Sequence, residues 1–242
     1  MINDVKAAFT AYSEKPFLFM WGSVLYVFFL LVFLLSAIGI AMIGLMAAFI
    51  LNVNITTDSP FVLGLGAVLV LYYLFVSSGV TAALINSYSR AMAFNSTNLL
   101  DFYHYALSKA LLVFGIGLMW DLANLVLIGP VAALYFLVYL KDYEPSMFVD
   151  GMFYIYVLLI LFITHFVTFP MVVSASLGKS PFESFRSAYF ALRSRHMFLL
   201  LLFICLCLTM LLNLVPVVQF ISLFFLLPVV LASLIKMVTS SS

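Results

Sequence analysis

Residues 17–51 decide the fold of this chain, because the stretch FLFMWGSVLYVFFLLVFLLSAIGIAMIGLMAAFIL contains no charged side chain. A helix of this length rises roughly 52 Å, whereas the hydrocarbon core of a bilayer is about 30 Å thick. The stretch is therefore too long for one upright span and too short for two spans with a turn between them. It predicts one long membrane helix that is tilted or kinked, with Gly39 and Gly44 as candidate bend points.

The composition of the whole chain is that of a membrane protein. Of its 242 residues, 67% are hydrophobic and 8% are charged, and the mean hydropathy is +1.27. Soluble domains carry about 25% charged residues, so this chain cannot cover a surface that faces water. The net charge of +1 excludes a nucleic-acid-binding protein that neutralises phosphates with a concentrated basic face.

Five further apolar stretches follow the first one and predict additional spans. The six predicted spans cover residues 17–51, 61–94, 110–140, 148–177, 197–214 and 217–237. Gly129 and Pro130 are predicted to interrupt the third span. The predicted fold class is all-α: a polytopic transmembrane helical bundle of six spans that forms a single membrane domain over residues 1–242.

The second predicted span contains the run of small residues SSGVTAA at positions 77–83. Small side chains let helix backbones approach closely in a membrane, where van der Waals packing drives helix association. The run therefore predicts a close helix-packing face in the second span.

The positive charges lie on one side of the predicted bundle. Six spans place nine of the ten Lys and Arg residues on the side of the two termini, and only Lys141 lies in an opposite loop. The positive-inside bias then predicts an integral, multi-pass protein of the plasma membrane, with its N- and C-termini in the cytoplasm.

The chain is predicted to be built from three repeated units, each an amphipathic interfacial helix followed by a transmembrane hairpin. The approximate bounds of the units are residues 1–95, 96–178 and 179–242. The segments that lead into spans one, three and five align without gaps as AFTAYSEK, FYHYALSK and AYFALRSR. Each segment has an aromatic residue six positions before a cation. These pairs are Phe9 and Lys15, Tyr103 and Lys109, and Tyr189 and Arg195.

The even-numbered spans also share a feature, because a helix-bending residue precedes small residues in each. These residues are Gly79, Pro170 and Pro228. With the repeated aromatic–cation segments, this layout resembles a loose group of poorly characterised prokaryotic six-span membrane families, including the membrane domain that accompanies glycerophosphoryl diester phosphodiesterases. The resemblance covers nearly the whole chain and implies a six-span bundle. It provides no catalytic residues, and the soluble phosphodiesterase domain of some members has no counterpart in these residues, so it implies no hydrolysis.

The segments before the odd-numbered spans predict contact with lipid headgroups. Apolar and aromatic residues recur at helical spacing in residues 5–12 and 182–192, and charged residues lie away from that face. Helices of this kind bind at the surface of an anionic membrane, so membrane lipids are expected partners. The candidate headgroup-binding residues are Lys15, Lys109, Arg186, Arg193 and Arg195. The alternative is that these helices dock a cytoplasmic partner.

Two ionisable residues are predicted to lie deep in the bilayer. Asp121 in the third span and His165 in the fourth are each roughly 16–20 Å from the cytoplasmic side, near the midplane. At this depth they could face each other across adjacent antiparallel helices, and one interpretation is a proton- or cation-responsive pair that lines a polar cavity. The alternative is an interhelical hydrogen bond that only fastens the bundle. The neighbouring polar candidates are Asn124, Thr164 and Thr168.

Motifs typical of hydrolytic and metal enzymes do not occur in the sequence. It contains no His-Glu-x-x-His, no Gly-x-Ser-x-Gly and no phosphate-binding loop, so no catalytic residue, metal site or cofactor is predicted. Cys205 and Cys207 lie one residue apart within an apolar run and predict no disulfide framework.

The sequence favours a non-enzymatic integral membrane protein that acts as a scaffold or as the membrane subunit of a larger assembly. Its expected partners are membrane lipids and either other membrane protein subunits or further copies of itself, and no nucleic acid is expected. One alternative is a small transporter or channel subunit with Asp121 and His165 as its midplane site. A weaker alternative is an intramembrane lipid-modifying enzyme that uses the same pair.

Overall fold

The computed structural model describes residues 2–50, 59–139, 146–212 and 215–240, and every regular element within them is helical. Six helical segments are long and apolar enough to cross a membrane. The predicted all-α bundle of six spans is therefore confirmed. Lys141, the cation predicted to lie opposite the termini, is outside the described residues, as are residues 51, 140 and 214 at three predicted span ends.

The helices follow one another along the chain as one shorter helix and six spans. They are α1 (Ile2–Glu14), α2 (Pro16–Ile50), α3 (Pro60–Met92), α4 (Leu99–Leu134), α5 (Met147–Ser176), α6 (Pro181–Leu212), α7 (Pro216–Ile221) and α8 (Leu227–Thr239). Two π-helical turns complete the set: Tyr135–Tyr139 continues α4, and Ser222–Leu226 joins α7 to α8. The sixth span therefore consists of α7, the second π-helical turn and α8.

Side-chain caps mark the beginnings of three spans. The backbone N–H of Val62 donates to Ser59 Oγ before α3, at 3.3 Å. Before α4, the backbone N–H of Asp101 donates to the side-chain oxygen of Asn98 at 2.7 Å. At the start of α6, the carboxylate of Glu183 accepts from the backbone N–H and from the hydroxyl of Ser180, each at 2.9 Å. These contacts satisfy backbone donors that have no partner inside the helix, so local sequence fixes where each span starts.

The long first span agrees with the prediction from residues 17–51. α2 is one helix of 35 residues and passes through both candidate bend points, Gly39 and Gly44. A Cβ on Gly44 would lie 2.9 Å from Cδ1 of Leu65, whereas a Cβ on Gly39 would meet no atom within 4 Å. Gly44 therefore allows α3 to approach α2 closely.

The interfacial helix predicted before the third span is not a separate element. α4 begins at Leu99 and runs without a break through Lys109 to Leu134, so the predicted interfacial segment and the span form one helix. No proline or glycine occurs in residues 99–114 to interrupt it. The predicted interruption at Pro130 is also wrong, because the helix continues through this residue. A membrane helix tolerates proline where neighbouring groups satisfy the carbonyl that proline leaves unpaired.

The other two predicted interfacial segments are set apart from their spans at the aligned cation. α1 ends at Glu14 and α2 begins at Pro16, so the break falls at Lys15. A proline disfavours the helical conformation of the residue before it, which explains this break. In α6 the backbone of Arg195 has φ −140° and ψ 24°, which kinks the helix at that position.

The core of the protein lies at the end of the bundle that carries both described chain ends. The last turns of α3, α5 and α8 bury most of their side chains there, together with one face of α1. Among the largest buried side chains are Phe19, Tyr88 and Leu199, which belong to one cluster. In contrast, the opposite half of α2 leaves apolar side chains such as Ile43 and Phe49 exposed. Among the described residues, the closest packing of the bundle is therefore at this end.

The packing at this end repeats around the bundle. The three return spans α3, α5 and α8 contact one another. A helix start packs against each of them: α1 against α8, the first turns of α4 against α3, and the first turns of α6 against α5. Each return span is therefore enclosed by its two counterparts and by one of these helix starts.

The predicted small-residue packing face in the second span is confirmed. Gly79, Ala82 and Ala83 are buried, and α3 packs there against the first turns of α4. A Cβ on Gly79 would lie only 2.6 Å from the carbonyl oxygen of Ala106 and 3.0 Å from Cβ of Ala110. Only a glycine permits this approach between the two backbones.

Replacement of Gly79 by alanine tests this contact. We expect Gly79→Ala to lower the free energy of unfolding by about 1–3 kcal/mol, because the added methyl group forces α3 and α4 apart. Gly39→Ala is the matched control: its methyl group meets no neighbouring atom, and alanine favours the helix by up to about 1 kcal/mol. Reversible denaturant unfolding in detergent micelles measures both changes. Equal stability of the two variants would contradict the close approach.

Candidate functional site

The two predicted midplane residues lie on neighbouring antiparallel helices. The hydroxyl of Tyr156 in α5 donates to the carbonyl oxygen of Leu127 in α4 at 2.8 Å, which fixes how the two helices align. Asp121 is six residues from this bond along α4, and His165 is nine residues from it along α5. At about 1.5 Å per residue, the two residues therefore lie at a similar depth.

Asp121 and His165 are both exposed on the surface of the bundle. The Nδ1 atom of His165 is 2.8 Å from the carbonyl oxygen of Leu161 in its own helix. Among the described residues, no hydrogen bond or ion pair joins Asp121 to His165. The expected direct contact between the two side chains is therefore not formed, because the helices turn both residues away from their buried faces.

The neutral polar neighbours lie on the buried side of the same two helices. Asn124, Thr164 and Thr168 are all buried. The Thr164 hydroxyl donates to the carbonyl oxygen of Ile160 at 2.9 Å, and that of Thr168 donates to the carbonyl oxygen of Thr164 at 2.6 Å. The side-chain oxygen of Asn124 has no hydrogen-bond partner within the part of the chain that the structure describes. The predicted site is therefore divided into buried neutral groups and exposed ionisable groups.

The far ends of α4 and α5 are joined by an aromatic contact that the sequence analysis missed. The Tyr135 hydroxyl donates to a carboxylate oxygen of Asp150 at 2.7 Å. The ring of Tyr135 stacks on that of Phe153, with centroids 4.1 Å apart and an interplanar angle of 2°. The π-helical turn that continues α4 begins at this contact. Both spans are rich in aromatic residues, so the sequence does not indicate which two of them form this contact.

A second feature missed by the sequence analysis is a hydroxyl network at the packed end. The Ser23 hydroxyl donates to the carbonyl oxygen of Leu223 at 3.1 Å, and its oxygen lies 2.6 Å from the buried hydroxyl of Tyr88. The Tyr12 hydroxyl donates to the carbonyl oxygen of Phe224 at 3.0 Å. Burial raises the pKa of Tyr12 above the ordinary value of a tyrosine. The two carbonyls belong to the second π-helical turn, so side chains from α1 and α2 satisfy its acceptors.

The predicted headgroup-binding cations have different environments. A guanidinium nitrogen of Arg195 lies 3.0 Å from a carboxylate oxygen of Asp4 and 2.8 Å from the hydroxyl of Ser240. Arg195 therefore links the kink in α6 to α1 and to the end of α8. Arg193, two residues earlier, is exposed.

Of the other three cations, two lie against aromatic rings and one lies beside a turn. The ammonium of Lys15 lies 4.9 Å from the ring centroid of Phe94, and the guanidinium of Arg186 lies 5.6 Å from that of Phe190. Lys109 is half-buried beside Gly178, the residue with φ +95° that follows α5. These contacts hold the cations at the end of the bundle that carries both described chain ends, where headgroup binding stays a prediction.

The described residues contain no cluster of side chains suited to a metal ion. Within residues 2–50, 59–139, 146–212 and 215–240, no group of three or more His, Cys, Asp and Glu side chains is placed to hold a metal ion. Comparisons with known proteins provide no assignment: no family model, no curated protein and no solved structure matches the chain. The function is therefore inferred from the geometry alone.

Substitution of Ser23 tests the hydroxyl network. We expect Ser23→Ala to lower the free energy of unfolding by about 1–3 kcal/mol, because a buried hydroxyl and a buried carbonyl each lose a partner. Ser36→Ala is the control, since the exposed Ser36 hydroxyl lies 2.5 Å from that of Tyr72, and the loss of such a contact lowers stability by about 0.6 kcal/mol. Denaturant titration in micelles compares them. A smaller effect at Ser23 than at Ser36 would show that the network does not stabilise the bundle.

Proposed function

We propose that the protein is a non-enzymatic membrane subunit or scaffold that binds another membrane-spanning chain through the exposed surfaces of α4 at Asp121 and of α5 at His165. The observation that supports this proposal is the exposure of both ionisable residues on the bundle surface. Asp121 is twelve residues from Lys109, and His165 is fourteen residues from Lys179. These separations correspond to roughly 18 and 21 Å along a helix, so both residues lie deep in the hydrocarbon region.

An ionisable side chain that faces lipid at this depth is unfavourable. On insertion scales, an Asp at the centre of a span costs about 2.5–3.5 kcal/mol. Polar groups from a neighbouring helix offset this cost, because interhelical hydrogen bonds in membranes contribute about 1–2 kcal/mol. A polar partner helix is therefore the simplest environment that makes the exposed Asp121 and His165 favourable.

The exposed apolar side chains do not indicate a protein partner in the same way. Large side chains such as Ile43, Phe49 and Leu63 are exposed on α2 and α3. Lipid tails are as apolar as these side chains, so a bilayer covers them without a protein partner. The partner is therefore assigned to the exposed surfaces of α4 and α5 at Asp121 and His165 and not to the more extensive apolar faces of α2 and α3.

The proposed threefold repeat agrees with the burial of aligned residues. In the segments before spans one, three and five, the first aligned position is buried and the second is exposed in all three units. The exposed fractions are 0% for Ala8, 0% for Phe102 and 2% for Ala188, and 57% for Phe9, 37% for Tyr103 and 51% for Tyr189. The repeat would provide the scaffold with a packed centre of three return spans.

The proposed orientation places the packed end in the cytoplasm, and the proposed location is the plasma membrane. Six spans put nine of the ten Lys and Arg residues on this side, as the positive-inside bias favours. The cations there, including Arg186 and Arg193, would then face the anionic headgroups of the inner leaflet. Membrane lipids are therefore proposed as further partners.

A small transporter or channel subunit is the second candidate function. One observation favours it: the buried side-chain oxygen of Asn124, one turn from Asp121, has no hydrogen-bond partner within the described residues. A water or a transported ion would supply that partner. The exposure of Asp121 and His165 on the surface favours the subunit proposal instead, since a transport site needs its charged groups inside the bundle.

Replacement of Asp121 separates the two functions. After mild extraction from native membranes, we expect the protein to be recovered in a complex larger than its own 27.0 kDa. Asp121→Leu should lower the fraction in the complex about tenfold, which corresponds to about 1.4 kcal/mol. Leu122→Ala, at the next exposed position, is the control and should leave the fraction unchanged. Native mass spectrometry measures the complex.

Two outcomes would contradict the subunit proposal. The first is a protein that remains a monomer in native membranes regardless of the residue at position 121. The second is proton or cation flux through liposomes that contain only this protein, if Asp121→Asn abolishes the flux. The second outcome would establish the transporter function.

A further inference from the structure

An apolar groove opens between three helices near the packed end of the bundle. Val5 and Phe9 of α1, Phe198 and Leu201 of α6, and Val229 of α8 line it. Its volume is about 570 Å³, within the range of about 300–1,000 Å³ that is typical of pockets for small molecules. The groove begins just after the kink at position 195 and therefore lies in the part of α6 that enters the membrane.

A cavity of about 410 Å³ with both apolar and charged side chains in its lining lies on the neighbouring side of α1. Its lining includes the amide of Asn3, the hydroxyl of Thr10, and the ammonium groups of Lys6 and Lys236. Glu14 is the carboxylate in this lining. Two cations against one anion leave the cavity with a net positive charge, and all four of the other groups carry hydrogen-bond donors.

Lys6 lines both spaces, so the apolar groove and the cationic cavity meet at its side chain. A lysine extends an apolar stem along one surface and places its ammonium in a polar environment. A ligand that occupies both spaces would need an apolar chain attached to an anionic head. These are the two parts of an anionic phospholipid.

The third unit carries a smaller residue than the first unit at one position of this groove. If the repeat alignment is extended without gaps, Leu201 in the groove corresponds to Trp21 of the first unit. The indole N–H of Trp21 donates to the carbonyl oxygen of Thr97 at 2.9 Å, close to the start of α4. Leu201 is therefore a groove position at which the chain already accommodates a tryptophan in another unit.

We propose that the groove and the cavity together bind one anionic phospholipid from the leaflet at the packed end. The acyl chains lie in the groove between α1, α6 and α8, and the phosphate lies between Lys6 and Lys236. The affinity of the site comes from burial of the acyl chains, and its preference for anionic lipid comes from the two lysines. The site is independent of the surfaces at Asp121 and His165 to which the partner chain is assigned.

The experiment uses the full chain in detergent, with phosphatidylglycerol as the anionic probe and phosphatidylcholine as the zwitterionic probe. Native mass spectrometry counts the lipids that remain bound after detergent exchange. We expect one tightly retained phosphatidylglycerol and at least tenfold weaker retention of phosphatidylcholine. Leu201→Trp, which reproduces the aromatic residue of the first unit, should lower phosphatidylglycerol retention about tenfold. Leu122→Trp, on an exposed face of α4, is the matched control and should retain the lipid.

A second variant keeps the test decisive if the added tryptophan disturbs folding. Lys6→Gln changes an exposed side chain and should remove the preference for phosphatidylglycerol while leaving phosphatidylcholine retention unchanged. Equal retention of both lipids by the unaltered protein would overturn the proposal, as would equal phosphatidylglycerol retention by Leu201→Trp and Leu122→Trp. The same spectra report association with a partner chain, so failure of the lipid site is distinguishable from failure of the proposed assembly.

Discussion

The close packing of the return spans, with one another and with the helices that enclose them, is the interaction on which the rest of this structure depends. In a bilayer, lipid tails solvate apolar helices as well as other helices do, so burial of apolar surface alone does not hold spans together. Backbones that approach closely and polar groups that satisfy each other must do so instead. Gly79 against the backbone of Ala106 provides the first kind of contact, and Ser23 with Tyr88 and the carbonyl of Leu223 provides the second.

These contacts occur at one end of the bundle, and this asymmetry determines what the rest of the protein can do. The last turns of α3, α5 and α8 are buried against one another and against α1. The opposite halves of the spans leave extensive apolar surface exposed. The proposed lipid and partner sites rest on this combination of a packed centre and exposed outer faces. It provides less support for an enclosed catalytic chamber.

The number of spans and their all-α character were predictable from the sequence, because both follow from the length of the apolar stretches. The break at Lys15 was also predictable, since Pro16 follows it. The continuity of α4 through Lys109 was not anticipated, although the lack of proline and glycine in residues 99–114 indicates it. A cation at the edge of an apolar stretch marks the membrane surface without ending the helix.

The orientation of the midplane residues could not be predicted for a different reason. A span that is apolar on all sides has no amphipathic pattern, so its sequence does not reveal which face is buried. Depth along the helix could be counted from residue numbers, and Asp121 and His165 do lie at similar depth. Their rotation about the helix axes depends on packing, which places Asn124 and Thr164 inside and the two ionisable residues outside.

The most direct test is the labelling of residues 121, 165, 124 and 164 by a bilayer-soluble diazirine, whose light-generated carbene inserts into lipid-facing side chains and needs no thiolate. In the purified protein, peptide mass spectrometry should find the label on Asp121 and His165 and none on Asn124 and Thr164. In native membranes, a bound partner should protect the first two positions. Reaction at 124 and 164 with protection at 121 and 165 in the purified protein would contradict the account.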